Sequence, residues 1–222
     1  MLIAALFFVV AASAQSAGLP VRMGPVGLVF PIPGGPLSAE QIEELTSTLP
    51  DGTSNTETLL SQVYRDSAGR TRVEWRIQNS ERDSAGIVYL IDPVARFMAM
   101  LLVDAKIANY FVAPHSGSGP FQVGLPAVGR VPPGNWQKKE EGLGKRVIEG
   151  VEVEGGRSVL TSDYQPPLTV LYETWASQSL GLKLAVDASG PDWKHTAKLQ
   201  HVVRREPDPM LFVIPPDYAI QN

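Results

Sequence analysis

A mainly β fold, built as a single antiparallel sheet with little helix, is the fold class that three observations predict. Side-chain character alternates with a period of two in several segments, most clearly in Thr71-Arg72-Val73-Glu74-Trp75-Arg76-Ile77. Turn-forming clusters such as Asp66-Ser67-Ala68-Gly69 and Ser189-Gly190-Pro191 punctuate those segments. Sustained helical periodicity is scarce. At 222 residues the chain is long enough for one domain with its own core.

The elements follow in order. Residues 1–14 carry no charged side chain, and Ala12-Ser13-Ala14 places small residues where a signal peptidase reads. That pattern predicts a cleavable secretory signal and a periplasmic or secreted protein, although the usual basic residue before the apolar run is missing. A membrane anchor would need about 20 apolar residues, and Gln15, Ser16 and Gly18 interrupt this run. Residues 15–36, which include Pro31-Ile32-Pro33-Gly34-Gly35-Pro36, predict a flexible leader. A single β-rich domain is expected over 37–222.

Ser38-Ala39-Glu40-Gln41 fits a capping box, and Ile42, Leu45 and Leu49 follow at helical spacing, so a short helix is expected near 38–45. From Leu59 the period becomes two. Val73, Trp75 and Ile77 mark one face of a half-buried strand, entered through a hairpin turn at 66–69. Val147, Val151 and Val153 are expected to share a face of 146–154, with Gly155-Gly156 as punctuation after it. Leu182, Leu184 and Val186 do the same in 181–187, and Leu199, His201 and Val203 in 197–205.

Ile87-Val88-Tyr89-Leu90-Ile91 and Phe97-Met98-Ala99-Met100-Leu101-Leu102-Val103 are apolar on both faces. Two readings fit. Both segments are central strands covered by a helix or long loop, or one of their faces lines an apolar cavity with Met98 and Met100 as adaptable wall residues. On the second reading Tyr89, Phe97, Met98, Met100 and Leu102 are the candidate ligand-binding residues. Residues 114–136 hold many Gly and Pro residues and predict a long loop of the kind that covers a cavity mouth.

Few residues invite chemistry. The chain has no cysteine, which excludes disulfides, thiolate metal sites and lipidation on a cysteine after the signal. Of three histidines, His195 and His201 share one expected strand, where six residues separate them by roughly 20 Å, whereas metal ligands lie about 2 Å from their ion. They are read as surface or rim residues, and no metal or cofactor is expected. His115-Ser116-Gly117-Ser118-Gly119 lacks the strand–elbow–helix setting of a hydrolase nucleophile. Gly142-Leu143-Gly144 lacks the third glycine and following helix of a phosphate loop, and reads as a turn entering a strand. Glu140-Glu141 and Glu152/Glu154 read as solvated acids. Arg70, Arg72 and Arg76 form a cationic row with Glu74 among them, better explained by cross-strand pairing than by anion binding. A net charge of −4 with interspersed signs excludes a polybasic surface for nucleic acid or membrane.

Several runs resemble a signature of exported bacterial proteins of unassigned function: Val63-Tyr64-Arg65-Asp66-Ser67-Ala68-Gly69-Arg70-Thr71-Arg72, Ile91-Asp92-Pro93-Val94-Ala95, 143–155, Glu173-Thr174-Trp175-Ala176-Ser177 and Glu206-Pro207-Asp208-Pro209-Met210-Leu211-Phe212. That resemblance carries no catalytic residue. A strand pair meeting near 87–93 and a closing Leu211-Phe212-Val213-Ile214-Pro215-Pro216-Asp217-Tyr218 are similar, at the level of shape, to LolA/LolB-type lipoprotein carriers. The resemblance implies a curved half-barrel whose concave face holds acyl chains. The expected function is therefore an exported, non-enzymatic β-domain that binds an apolar or lipid ligand in the cell envelope. An envelope protein–protein interaction module without a small ligand, and a hydrolase whose site is assembled from distant residues, are the alternatives.

Overall fold

The computed structural model describes residues 28–29, 31–77, 86–112 and 135–221. Twelve strands occur among them: β1 (Leu37–Thr48), β2 (Ser54–Arg65), β3 (Thr71–Ile77), β4 (Ile87–Asp92), β5 (Phe97–Leu102), β6 (Ile107–Val112), β7 (Trp136–Ile148), β8 (Val151–Ser162), β9 (Thr169–Ser177), β10 (Leu182–Ser189), β11 (Trp193–Val203) and β12 (Ala219–Gln221). They form one sheet in the order β12-β6-β5-β4-β3-β2-β1-β11-β10-β9-β8-β7. The sheet is curved and open, as expected. Its pairs are antiparallel except at one edge, where β12 runs parallel to β6. One 3-10 turn, Pro209–Phe212, is the helical element among the described residues.

Local chemistry explains the hairpins. In the β2–β3 turn Gly69 N–H donates to the Asp66 carbonyl at 3.0 Å, with Gly69 at φ +86°. Its backbone lies so close to Ile32 that an added Cβ would sit 2.8 Å from the Ile32 carbonyl carbon. Asp92 closes the β4–β5 turn by accepting from the N–H groups of Val94 and Ala95 at 2.8 and 2.7 Å.

Four expectations are corrected. Residues 38–45 belong to a strand, because Leu37, Ala39, Gln41 and Glu43 alternate onto one buried face; the two buried polar residues disguise that period. Residues 146–154 do not form one strand, since Glu149 and Gly150 both take positive φ (50° and 71°) and turn β7 into β8. This leaves Val147 exposed while Val151 and Val153 are buried. Gly155-Gly156 is strand interior, with the Trp175 ring against Gly155. Gly142-Leu143-Gly144 is a register shift inside β7, where Gly142 faces Gly156 and Gly144 faces Gly155.

Within the span read as a leader, Leu28 and Val29 are buried, and Val29 pairs with Leu182. The signal at 1–14, the His115-to-Gly119 run and most of the 114–136 loop lie outside the described residues; Trp136 opens β7.

Strand pairing sorts the side chains onto two faces. The first face carries Leu37, Ala39, Val63, Val73, Ala197 and Leu199 in the larger core cluster, which continues through Val186, Leu184, Leu182, Val153 and Trp175 to Leu28 and Val29. The second face has its own cluster under β4, β5 and β6, formed by Val88, Leu90, Ala99, Leu101 and Ala108. Ile214 and Tyr218 from the segment after β11 pack onto it.

Candidate functional site

The doubled apolar character of β4 and β5 now has a partial explanation. Their second-face residues are covered by the chain's own C-terminal segment, an extended stretch with one short turn. Apart from the buried Ile91, their first-face residues are not sealed to the same degree. Tyr89 lies directly across from Met100, Met100 from Asn109, and Leu102 from both Ile87 and Ile107. Tyr89, Met98, Met100 and Leu102 therefore share one face, and all four are partly buried rather than fully enclosed. Burial pushes the Tyr89 hydroxyl upward from its ordinary pKa.

Phe97, grouped with those four from sequence, points the other way. It is an odd-numbered residue in a strand whose Met98, Met100 and Leu102 are even, so the pleat carries it to the second face. There it stacks on Tyr110 with ring centroids 5.0 Å apart. Because β5 is apolar throughout, no polar residue marked which face each side chain takes.

Following the first face from Tyr89 toward β11, its character changes. The Trp75 ring meets Tyr89 edge-on at 5.4 Å. Trp75 lies across from Ser61, and Ser61 from Gln41, so the three form a row over β3, β2 and β1. Gln41 Nε2 donates to Glu43 Oε1 at 2.5 Å, and Glu43 Oε2 pairs with His195 Nε2 at 3.1 Å. Gln41, Glu43, Ser61 and His195 are each no more than 4% exposed. Within this stripe Ser61 Oγ, Trp75 Nε1 and His195 Nδ1 are buried without a hydrogen-bond partner.

Sequence reasoning missed this stripe. The expected helix hides Gln41 and Glu43, and His195, expected at the surface or rim, is buried instead. A strand reading of 37–48 would have put Gln41 and Glu43 on the face of Leu37 and Ala39. The Glu43–His195 contact, 152 residues apart, has no local signal. His201, on the same strand as His195, takes φ +52° and turns to the opposite face, where it meets Glu40 at 3.0 Å.

The other charged groups behave as structure. Arg72 pairs with Glu74 at 2.6 Å and donates to the Leu211 carbonyl, and Arg70 pairs with Asp66 at 2.6 Å. Glu140 is held below the usual carboxylate range by Lys138, and Glu141 meets Arg157 at 3.4 Å. Glu152 meets Lys145 at 3.4 Å with both side chains exposed. Two open clefts, each a little under about 400 Å³, lie elsewhere: one by Glu140, Arg157, Ser158 and Tyr172, the other beside Gly35, Arg65 and Arg204. Neither contains the methionine face. No group of three or more His, Cys, Asp or Glu side chains able to hold a metal ion occurs among the described residues. No helix among them is long and apolar enough to cross a membrane.

No family model and no curated protein matches the chain. Among solved structures it is similar to a LolA superfamily protein from Nitrosomonas europaea, at 11% identity and a TM-score of 0.35, over 84% of this chain and 93% of that one. It is also similar to an outer membrane lipoprotein-sorting protein domain from Vibrio parahaemolyticus, at 6% identity and a TM-score of 0.32, over 76% and 85%. A third likeness is to the lipoprotein LppX of Mycobacterium tuberculosis, at 12% identity and a TM-score of 0.29, over 73% and 84%. Likenesses this distant carry no argument about what the chain binds, which has to come from its own two faces.

Proposed function

We propose that this chain is an exported, non-enzymatic domain of the cell envelope that binds an acyl-type apolar ligand against Tyr89, Met98, Met100 and Leu102. The export signal read in residues 1–14 supports the location. One observation carries the binding reading. The same three strands bury Val88, Leu90, Ala99, Leu101 and Ala108 beneath the C-terminal segment on one face, yet leave larger apolar side chains partly exposed on the other. Unbranched, polarisable methionine side chains adapt to a flexible ligand at such a surface.

Delipidated protein titrated with a polyene fatty acid, fluorescent when shielded from water, is expected to show saturable binding. Met98→Asp and Met100→Asp should each weaken it at least about tenfold while leaving the thermal midpoint nearly unchanged, since a charge on a solvent-reachable face avoids the cost of full burial. Absence of saturable binding by the unsubstituted protein overturns the reading in favour of an interaction module. Unfolding of both variants overturns it too, because it would place the two side chains in a packed core.

A further inference from the structure

The apolar face runs into a polar stripe that the apolar reading leaves unused. Trp75 and Ser61 face one another across β3 and β2, next to the Tyr89 end of the methionine face. Indole Nε1 is a donor and nothing else, and a serine hydroxyl donates one hydrogen bond. Both atoms are buried, and neither has a partner. A buried unmet polar group costs roughly 1–3 kcal/mol, so two side by side on one face are an unusual arrangement for a surface whose task is self-packing.

Beyond them both oxygens of the Glu43 carboxylate are taken, while His195 Nδ1 is left without a partner. Gln41 occupies one oxygen of the Glu43 carboxylate and His195 Nε2 meets the other. A ligand anion placed at Ser61 would lie beside that carboxylate, and a ligand cation would compete with His195 for it. An uncharged acceptor suits the position.

Leu102, Ile87, Trp75 and Ser61 lie directly across from one another in turn, so Leu102 on β5 and Ser61 on β2 are three strand spacings apart, about 14 Å. An acyl chain lying along that row, over Leu102 and beside Met100 and Tyr89, would thus bring its carboxyl-derived end to the Trp75–Ser61 pair. We infer that Trp75 Nε1 and Ser61 Oγ bind the acyl carbonyl of an uncharged, hydroxyl-bearing ester, with its tail on the methionine face and its head over Gln41, Glu43 and His195. This inference rests on the apolar-ligand reading above and adds the class of the head group.

The test compares a monoacylglycerol, the alkyl glycerol ether of equal chain length, which lacks the carbonyl, and the fatty acid anion, all on the delipidated full chain. The ester is expected to bind about tenfold more tightly than the ether, the gain of two ordinary hydrogen bonds, and more tightly than the anion. Trp75→Phe combined with Ser61→Ala keeps an aromatic ring beside Tyr89, though a smaller one, and removes both donors. It should bring ester binding down to the ether's level and leave ether binding unchanged. Because the two lost polar atoms have no partner in the protein, the thermal midpoint should fall no further in the double variant than the smaller ring costs, as read in Trp75→Phe alone.

Equal ester and ether affinities in the unsubstituted protein overturn the inference while saturable ether binding preserves the apolar-ligand reading. So does an ester preference that survives in the double variant. Tighter binding of the anion than of the ester overturns the uncharged head. Failure of all three lipids to bind removes both proposals together. The comparison of ligands on the unsubstituted chain decides the matter even if the double variant does not fold.

Discussion

Arg65 is the largest fully buried side chain among the described residues, at 0% exposure. Its guanidinium donates to the carbonyls of Gly35, Leu180 and Gly181, at 2.6 Å in the case of Leu180. Those three carbonyls come from the approach to β1 and from the β9–β10 turn, so one side chain ties together segments more than 100 residues apart. Burial lowers its pKa to about 10, which still leaves it charged at neutral pH. Arg65→Met would remove every donor and leave those part-buried carbonyls unmet. A loss of about 3 kcal/mol or more is expected, read as a fall in the urea midpoint without a change in slope. Arg65→Lys should recover less than half of that, because a point-like ammonium cannot reproduce a planar fork. Near-complete rescue by lysine would show that charge, rather than geometry, is what the site requires.

At the scale of strands, β8 and β9 are locked by a close approach. A Cβ added to Gly155 would lie 2.6 Å from the Trp175 ring. That ring is held from elsewhere, with the Arg146 guanidinium 3.6 Å from its centroid and its Nε1 donating to Glu173 at 3.0 Å. Gly155→Ala therefore has to displace a fixed ring, and a loss of about 1–3 kcal/mol is expected in chemical denaturation. Tryptophan fluorescence should shift as well, and an unaltered midpoint would mean the ring moves freely. This glycine also shows where sequence reading stops. Gly155-Gly156 looked like punctuation because nothing local announces a tryptophan 20 residues away. Strand β3 was legible since Val73 and Trp75 alternate cleanly with charged neighbours, and β10 was legible through Leu182, Leu184 and Val186. Strand β1 was not, because Gln41 and Glu43 occupy positions where an apolar residue would have declared the period. The candidate site divides in the same way. The parity of Met98, Met100 and Leu102 was written in the chain, and with it the place of Phe97 on the opposite face, whereas the pairing of Glu43 with His195 depends on register.

A twelve-stranded open sheet has two broad faces to cover, and sheets of this size persist when something packs on each. Over β4, β5 and β6 the second face depends on the segment after β11. Glu206 accepts from Ser67 N–H at 3.1 Å and from its hydroxyl at 3.2 Å, fastening the segment to the β2–β3 turn. Arg72 binds the Leu211 carbonyl at 3.0 Å, and the Arg70 guanidinium lies 5.2 Å from the centre of the Phe212 ring. Phe212 is buried, Ile214 and Tyr218 pack on the Val88–Leu90–Leu101 cluster, and β12 then adds to the edge of β6. The Lys106–Asp217 pair near the end is exposed on both sides, so it adds little. The apolar contacts dominate instead. Fully burying a side chain such as Phe212 is worth about 1.5–3 kcal/mol, and the partly buried Ile214 and Tyr218 add less each, a sum that is still a sizeable fraction of the stability of about 5–15 kcal/mol typical of a folded domain. Deleting residues 206–222 is accordingly expected to abolish the cooperative thermal transition and to produce strong binding of an apolar fluorescent dye. The triple variant Phe212→Ala, Ile214→Ala, Tyr218→Ala should reproduce most of that effect, whereas Asp217→Asn should leave the midpoint within about a degree, as exposed pairs do. A truncated chain that still melts cooperatively at the original temperature would show that this half of the sheet stands without its cover, and that the asymmetry between its two faces has another cause.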